Sequence, residues 1–100
     1  MKKKKAAPTH RVHVFYKGRV QGVGFRYTAE KIALEIGVTG WVKNLPDSRV
    51  ELVAEGAKGE LETLLEKILQ SQVGCYVQKT DCSWGKPTQE FHDFTVEFHF

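Results

Sequence analysis

Apolar and polar residues alternate with a period of two in some stretches of this chain and of about 3.6 in others, which predicts strands interleaved with helices. Val12, Val14 and Tyr16 alternate with Arg11, His13, Phe15 and Lys17, so a first strand is expected to run to about Lys17. Phe25, Ala29, Ile32, Ala33 and Ile36 then fall at helical spacing, and Gly37 stands ready as a C-terminal cap. Val38 to Lys43 reads as a second strand, with Trp41 on one face and Val42 on the other. Asn44-Leu45-Pro46-Asp47-Ser48 is turn chemistry. Val50, Leu52 and Ala54 alternate with Glu51, Val53 and Glu55 as a third strand ending at Gly56, so the two strands form a hairpin. Leu61, Leu64, Leu65, Ile68 and Leu69 mark the clearest amphipathic helix, and Gly74 ends the connection after it. Tyr76 to Trp84 is the weakest strand, because its apolar residues do not alternate cleanly. After a turn at Gly85, Lys86 and Pro87, a last strand is expected through Phe94, Val96, Phe98 and Phe100.

The order is therefore β-α-β-β-α-β with one additional strand. Two crossover helices need a sheet face to lie on, which gives an α+β two-layer sandwich of the ferredoxin-like kind, with a mostly antiparallel sheet and both helices on one face. The other face is expected to be partly wet, carrying His13, Lys17, Thr39, Lys43 and Glu51. One hundred residues provide one core and no second domain.

Charge changes the picture once it is resolved along the chain. The net charge of +3 suggests a polyanion as partner, but Lys2, Lys3, Lys4 and Lys5 carry it; the other 11 basic residues face 12 acidic ones. Residues 1–9 are thus expected to be a flexible lysine-rich tail, with a polybasic contact to membrane or RNA as the alternative, and residues 10–100 the folded domain. Ala6, Ala7 and Pro8 do not make the apolar region of a secretory signal, and no stretch is long enough to span a bilayer. A cytoplasmic protein is expected. Cys75 and Cys82 are too few for a disulfide scaffold or a zinc site. If extended, the seven-residue step between them spans roughly 23 Å, beyond disulfide reach, so both are expected reduced.

The most informative stretch is Gly18-Arg19-Val20-Gln21-Gly22-Val23-Gly24-Phe25-Arg26. Three glycines between a strand and a helix permit a loop whose N–H groups turn inward as an anion nest beside the positive end of a helix dipole. Arg26, in the first helical turn, is unfavourable against that dipole unless an anion shares the site. A phosphate or carboxylate clamp and an ordinary glycine-rich turn with Arg26 in solvent both remain open on this ground alone. A Walker A loop is excluded by the missing Gly-Lys-Ser/Thr, and a dinucleotide fingerprint by the glycine spacing. His10, His13, His92 and His99 lack metal-ligand spacing, and nothing near Cys75 or Cys82 would activate a nucleophilic thiol.

The nine residues of the loop resemble the first signature of the acylphosphatases. Gly40-Trp41-Val42-Lys43-Asn44 resembles the start of the second, with Val50 and Gly56 matching its later positions. The resemblance spans His10 to Phe100. One position departs: the family pattern has glycine where this chain has Ser48, in a turn that normally takes a positive φ.

The resemblance implies hydrolysis of acyl phosphates to a carboxylate and inorganic phosphate. Arg26 would grip the phosphoryl oxygens, and the N–H groups of Gln21, Gly22, Val23, Gly24, Phe25 and Arg26 would cradle them. Asn44 would orient the attacking water. A carboxylate leaving group, with a pKa of about 4, departs unprotonated, so no strong general acid is needed. No cofactor and no metal are expected, and phosphate or sulfate would occupy the loop. Phe25 and Trp41 are expected to pack rather than to bind substrate. An RNA-recognition domain has the same element order, but the third strand offers no aromatic residue and the folded part is slightly acidic, so no nucleic-acid partner is expected. A second alternative is an acylphosphatase-like module of a larger maturation factor that handles carbamoyl phosphate. A stand-alone monomer acting on a small-molecule acyl phosphate, without a membrane partner, is the expected form.

Overall fold

The computed structural model describes residues 6–98, so the expectations for Lys2 to Lys5, His99 and Phe100 lie outside the described residues. The elements run β1 (His10–Gly18), α1 (Phe25–Ile36), β2 (Thr39–Asn44), β3 (Val50–Gly56), α2 (Lys58–Gln70), a 3₁₀ turn at Gly74–Tyr76, β4 (Val77–Gly85) and β5 (Phe94–Glu97). The strands form one sheet in the order β4-β1-β3-β2-β5. β5 lies parallel to β2, and the other neighbours are antiparallel. This is the two-layer ferredoxin-like sandwich expected from the pattern. Among the described residues, no helix is long and apolar enough to cross a membrane.

The core follows from the alternation. Val12, Val14 and Tyr16 of β1 and Val50, Leu52 and Ala54 of β3 are buried against Phe25, Ala29, Ala33, Leu61, Leu64 and Ile68 of the helices. α1 ends where expected, with Gly37 left-handed at φ 93° and its N–H donating to the Ala33 carbonyl.

Three positions depart from the alternation. Phe98 lies beyond the end of β5, with its ring set against Arg26 instead of extending the strand. On the face away from the helices, His13, Thr39, Lys43 and Glu51 are half-buried and Lys17 is exposed, but Val53 and Glu55 are buried. Glu55 is covered by the connection between β4 and β5, which has to pass from one edge of the sheet to the other. Its carboxylate receives Arg11 Nη1 at 2.8 Å, the Thr88 N–H at 2.7 Å, the Thr88 hydroxyl at 2.9 Å and the Gln89 N–H at 2.9 Å. Burial pushes this carboxyl up, and the hydrogen bonds from Thr88, Arg11 and Gln89 outweigh it, holding it below its ordinary value.

Strand direction then fixes where chemistry can sit. β1 and β2 both pair antiparallel to β3, and β5 is parallel to β2, so all three end at the same edge of the sheet. The glycine loop after β1, Asn44 at the end of β2 and Phe98 after β5 converge there.

The hairpin turn carries the departure at Ser48, which takes φ 79°, a left-handed conformation that an L side chain adopts at a cost. Ser48→Gly is expected to stabilise the protein by about 0.5–1 kcal/mol, since relief of that cost exceeds the added freedom of the unfolded chain. Thermal unfolding checks this, with a rise in Tm of roughly 3–6 °C expected for a domain of this size.

Candidate active site

The glycine loop takes its shape from two left-handed residues, Gly22 at φ 78° and Gly24 at φ 83°. Gly24 is also the N-cap of α1, and it offers no side chain to the first helical N–H groups. No acidic residue stands in the first turn either. The positive end of the helix is therefore open toward the loop, the arrangement that receives an anion. Val20 and Phe25 are buried on either side, and the Phe25 ring packs on Tyr16 with centroids 4.8 Å apart. The loop is thus pinned into the core at both ends. The Arg19 N–H adds a hydrogen bond to the Tyr76 carbonyl at 3.1 Å.

A cleft of about 180 Å³ opens over this loop, lined by Val20, Gly22, Gly24, Phe25, Arg26 and Asn44, with Tyr27 on its rim. Arg26 is half-buried. Its Nη1 donates to the Glu97 carbonyl at 3.3 Å, and its guanidinium lies 4.9 Å from the centroid of the Phe98 ring. Among the described residues no carboxylate pairs with it, so its charge stays available to a bound anion. Asn44, the last residue of β2, pairs with Val50 through the backbone, and its amide side chain faces no hydrogen-bonding partner among the described residues. The arrangement offers one cation, several N–H donors and one amide within a single small cleft. It can hold a tetrahedral anion and direct a polar molecule toward it.

Of the residues predicted for the site, Gly22, Gly24, Phe25, Arg26 and Asn44 are brought together here. Val23 packs against the core, and the Gln21 side chain turns away to the β2–β3 turn, where it donates to the Leu45 and Arg49 carbonyls. Three features escaped the sequence reading: Tyr27 on the rim, Phe98 on Arg26, and the Gln21 side-chain contacts. Phe98 was hidden by its own pattern, since its place in the alternation marked it as a strand residue. Trp41 packs as expected, with Lys43 Nζ 4.8 Å from its ring centroid. Cys75 and Cys82 are free and exposed, and partial burial pushes the Cys82 thiol up from its ordinary value, which disfavours the nucleophilic thiolate. Among the described residues no group of three or more His, Cys, Asp or Glu side chains is arranged to hold a metal.

Known proteins resemble this chain in sequence and fold. The family model of the acylphosphatases matches residues 12–96. An acylphosphatase of Roseiflexus sp. (strain RS-1) is 43% identical over 86 residues, a match covering 86% of this chain and 92% of that one. The crystal structure of the acylphosphatase from Bacillus subtilis superposes with a TM-score of 0.82 at 32% identity, over 88% of this chain and 98% of that one. The HypF of T. kodakarensis reaches a TM-score of 0.78 at 27% identity, over 91% of this chain and 12% of that much longer one.

Proposed function

The chain belongs to the acylphosphatase family, and from that premise we propose that it hydrolyses acyl phosphates, with Arg26, the N–H groups of residues 21–26 and Asn44 as the working parts. The observation that carries this reading is the single cleft that Arg26, the uncapped start of α1 and Asn44 line together. The phosphoryl group sits in the loop, its oxygens accepting from the backbone N–H groups and from the Arg26 guanidinium. The Asn44 amide accepts from and donates to a water, holding it toward phosphorus. As the water oxygen forms its bond to phosphorus, the bond from phosphorus to the acyl oxygen breaks. The carboxylate leaves with the electron pair, and the water proton ends on the phosphate product or in solvent. Charge builds on the phosphoryl oxygens during this exchange, and fixed donors aimed at them supply the rate enhancement.

Phosphate binding and water positioning then fall to different residues, and this division is testable. With benzoyl phosphate as substrate and a chelator present, wild-type protein is expected to turn over, with inorganic phosphate as a competitive inhibitor. Asn44→Ala is expected to lower kcat by about 10²-fold while the inhibition constant for phosphate changes little. In heavy-oxygen water the label should enter the phosphate rather than the carboxylate. Hydrolysis by Asn44→Ala at the wild-type rate, or label in the carboxylate, would overturn this assignment.

A further inference from the structure

Gln21 lies inside the glycine loop, yet its side chain reaches across to the β2–β3 hairpin that carries Asn44. Nε2 donates to the Leu45 carbonyl at 2.8 Å and to the Arg49 carbonyl at 2.9 Å. These two carbonyls sit at the neck of the β2–β3 turn, one residue outside the terminal pair Asn44↔Val50. We propose that Gln21 is a positioning residue, which fixes Asn44 against the phosphate loop by clamping both strands of the hairpin at that neck. The proposal rests on the reading of Asn44 given above.

The chemistry of the clamp is particular to a primary amide of this length. Its two N–H groups diverge in one plane and reach two acceptors at once, while glutamate has the length without the donors and asparagine the donors without the length. Both carbonyls have room for it. The Leu45 carbonyl also accepts from the Ser48 N–H at 3.2 Å, and the Arg49 carbonyl from the Leu45 N–H at 2.8 Å, so the amide fills the remaining lone pair of each. Among the described residues the turn's other hydrogen bonds stay within the hairpin, with Arg49 donating to Asp47 from its backbone N–H and from Nε, while the Arg49 guanidinium also lies 4.5 Å from the centroid of the Phe15 ring on β1. Among the described residues no other hydrogen bond joins the loop to the turn. The loop, by contrast, has its own anchors in buried Val20 and Phe25 and in the bond from Arg19 to Tyr76. Loss of the amide thus loosens the wall that carries Asn44, which keeps its pairing with Val50 and the Arg49 contact to Phe15, and leaves the anion cradle in place.

This separates the kinetic constants. Gln21→Met, which fills similar space without donors, is expected to lower kcat about 10-fold, as a small misplacement of a reacting group does, with the phosphate inhibition constant within about 2-fold of wild type. In an Asn44→Ala background the same substitution should change kcat by less than about 2-fold, because a residue that acts through Asn44 has nothing left to act on. Gln21→Asn, which keeps the amide but shortens it, is expected to fall between wild type and Gln21→Met, and serves in its place should the methionine variant fail to fold. A wild-type kcat in the substituted protein, a loss carried by phosphate affinity, or an equal loss with and without Asn44 would each overturn the proposal. A neutral Asn44→Ala would instead overturn the underlying reading of the site, so the two failures are distinct.

Discussion

Arg26→Ala is expected to lower kcat/KM for an acyl phosphate by about 10³-fold or more, the largest kinetic effect of any single substitution in this chain. Arg26 is the one guanidinium lining the cleft, and among the described residues it has no carboxylate partner. In the proposed mechanism its removal takes away the charge that meets the phosphoryl oxygens in both the ground state and the transition state. Competitive inhibition by phosphate should weaken together with turnover, which sets this variant apart from Asn44→Ala. Arg26→Lys should recover little. The guanidinium is held by the bond from Nη1 to the Glu97 carbonyl and by the Phe98 ring beneath it, and a lysine ammonium, a point charge, has no planar paired N–H edge to offer phosphate while keeping those contacts. Steady-state kinetics with benzoyl phosphate, and phosphate as inhibitor, check both variants. Turnover by Arg26→Ala within tenfold of wild type would contradict the role given to it.

Glu55→Ala carries the largest expected effect on stability, a loss of about 3 kcal/mol. The carboxylate is fully buried and accepts from Arg11, from the Thr88 N–H and hydroxyl, and from the Gln89 N–H. Without it, two successive backbone N–H groups lose their acceptor and the β4–β5 connection loses its fastening to the sheet. Arg11 is less affected, since it is partly exposed and also meets Glu90 at 3.2 Å. Denaturant unfolding measures the loss. The same site predicts a pH dependence. The folded carboxyl lies below its unfolded value, so its contribution is complete above the ordinary glutamate range and disappears as pH falls through the lower folded value. Wild type should therefore lose stability below about pH 4.5 with a component that Glu55→Gln lacks. Equal acid sensitivity in the two proteins would refute that component.

The sequence made some of these features legible and hid others for physical reasons. β1 and β3 were readable because one face of each meets the helices, so burial and side-chain alternation coincide. β4 is only weakly marked, because it is an edge strand whose helix-side residues Thr80, Cys82 and Trp84 stay exposed opposite buried Tyr16, Val14 and Val12. Burial leaves no period where neither face is covered. The glycine loop and Asn44 were recognisable as short local motifs. In the sequence Glu55 is one position of an alternating strand, since its partners besides Arg11 lie more than 30 residues away in a segment without any hydrophobic pattern. Gln21 escaped for the same reason. Its position belongs to the motif, but its bonds go to carbonyls that any residue would supply, and such acceptors leave no trace in sequence.

The parallel pairing of β5 with β2 also bears on the order in which folding and activity arise. Val42 meets Val96 and Lys43 meets Glu97, so β5 joins the sheet only by closing a long stretch of chain, the slow kind of contact in a topology of this type. A refolding intermediate with β1, α1 and the hairpin in place would already possess the glycine loop and Asn44. Arg26 would still lack both the Glu97 carbonyl and the Phe98 ring that hold it over the cleft. On the proposed mechanism, recovery of catalysis is therefore tied to the arrival of the last strand, and a chain interrupted before that step would carry most of the fold without a finished site.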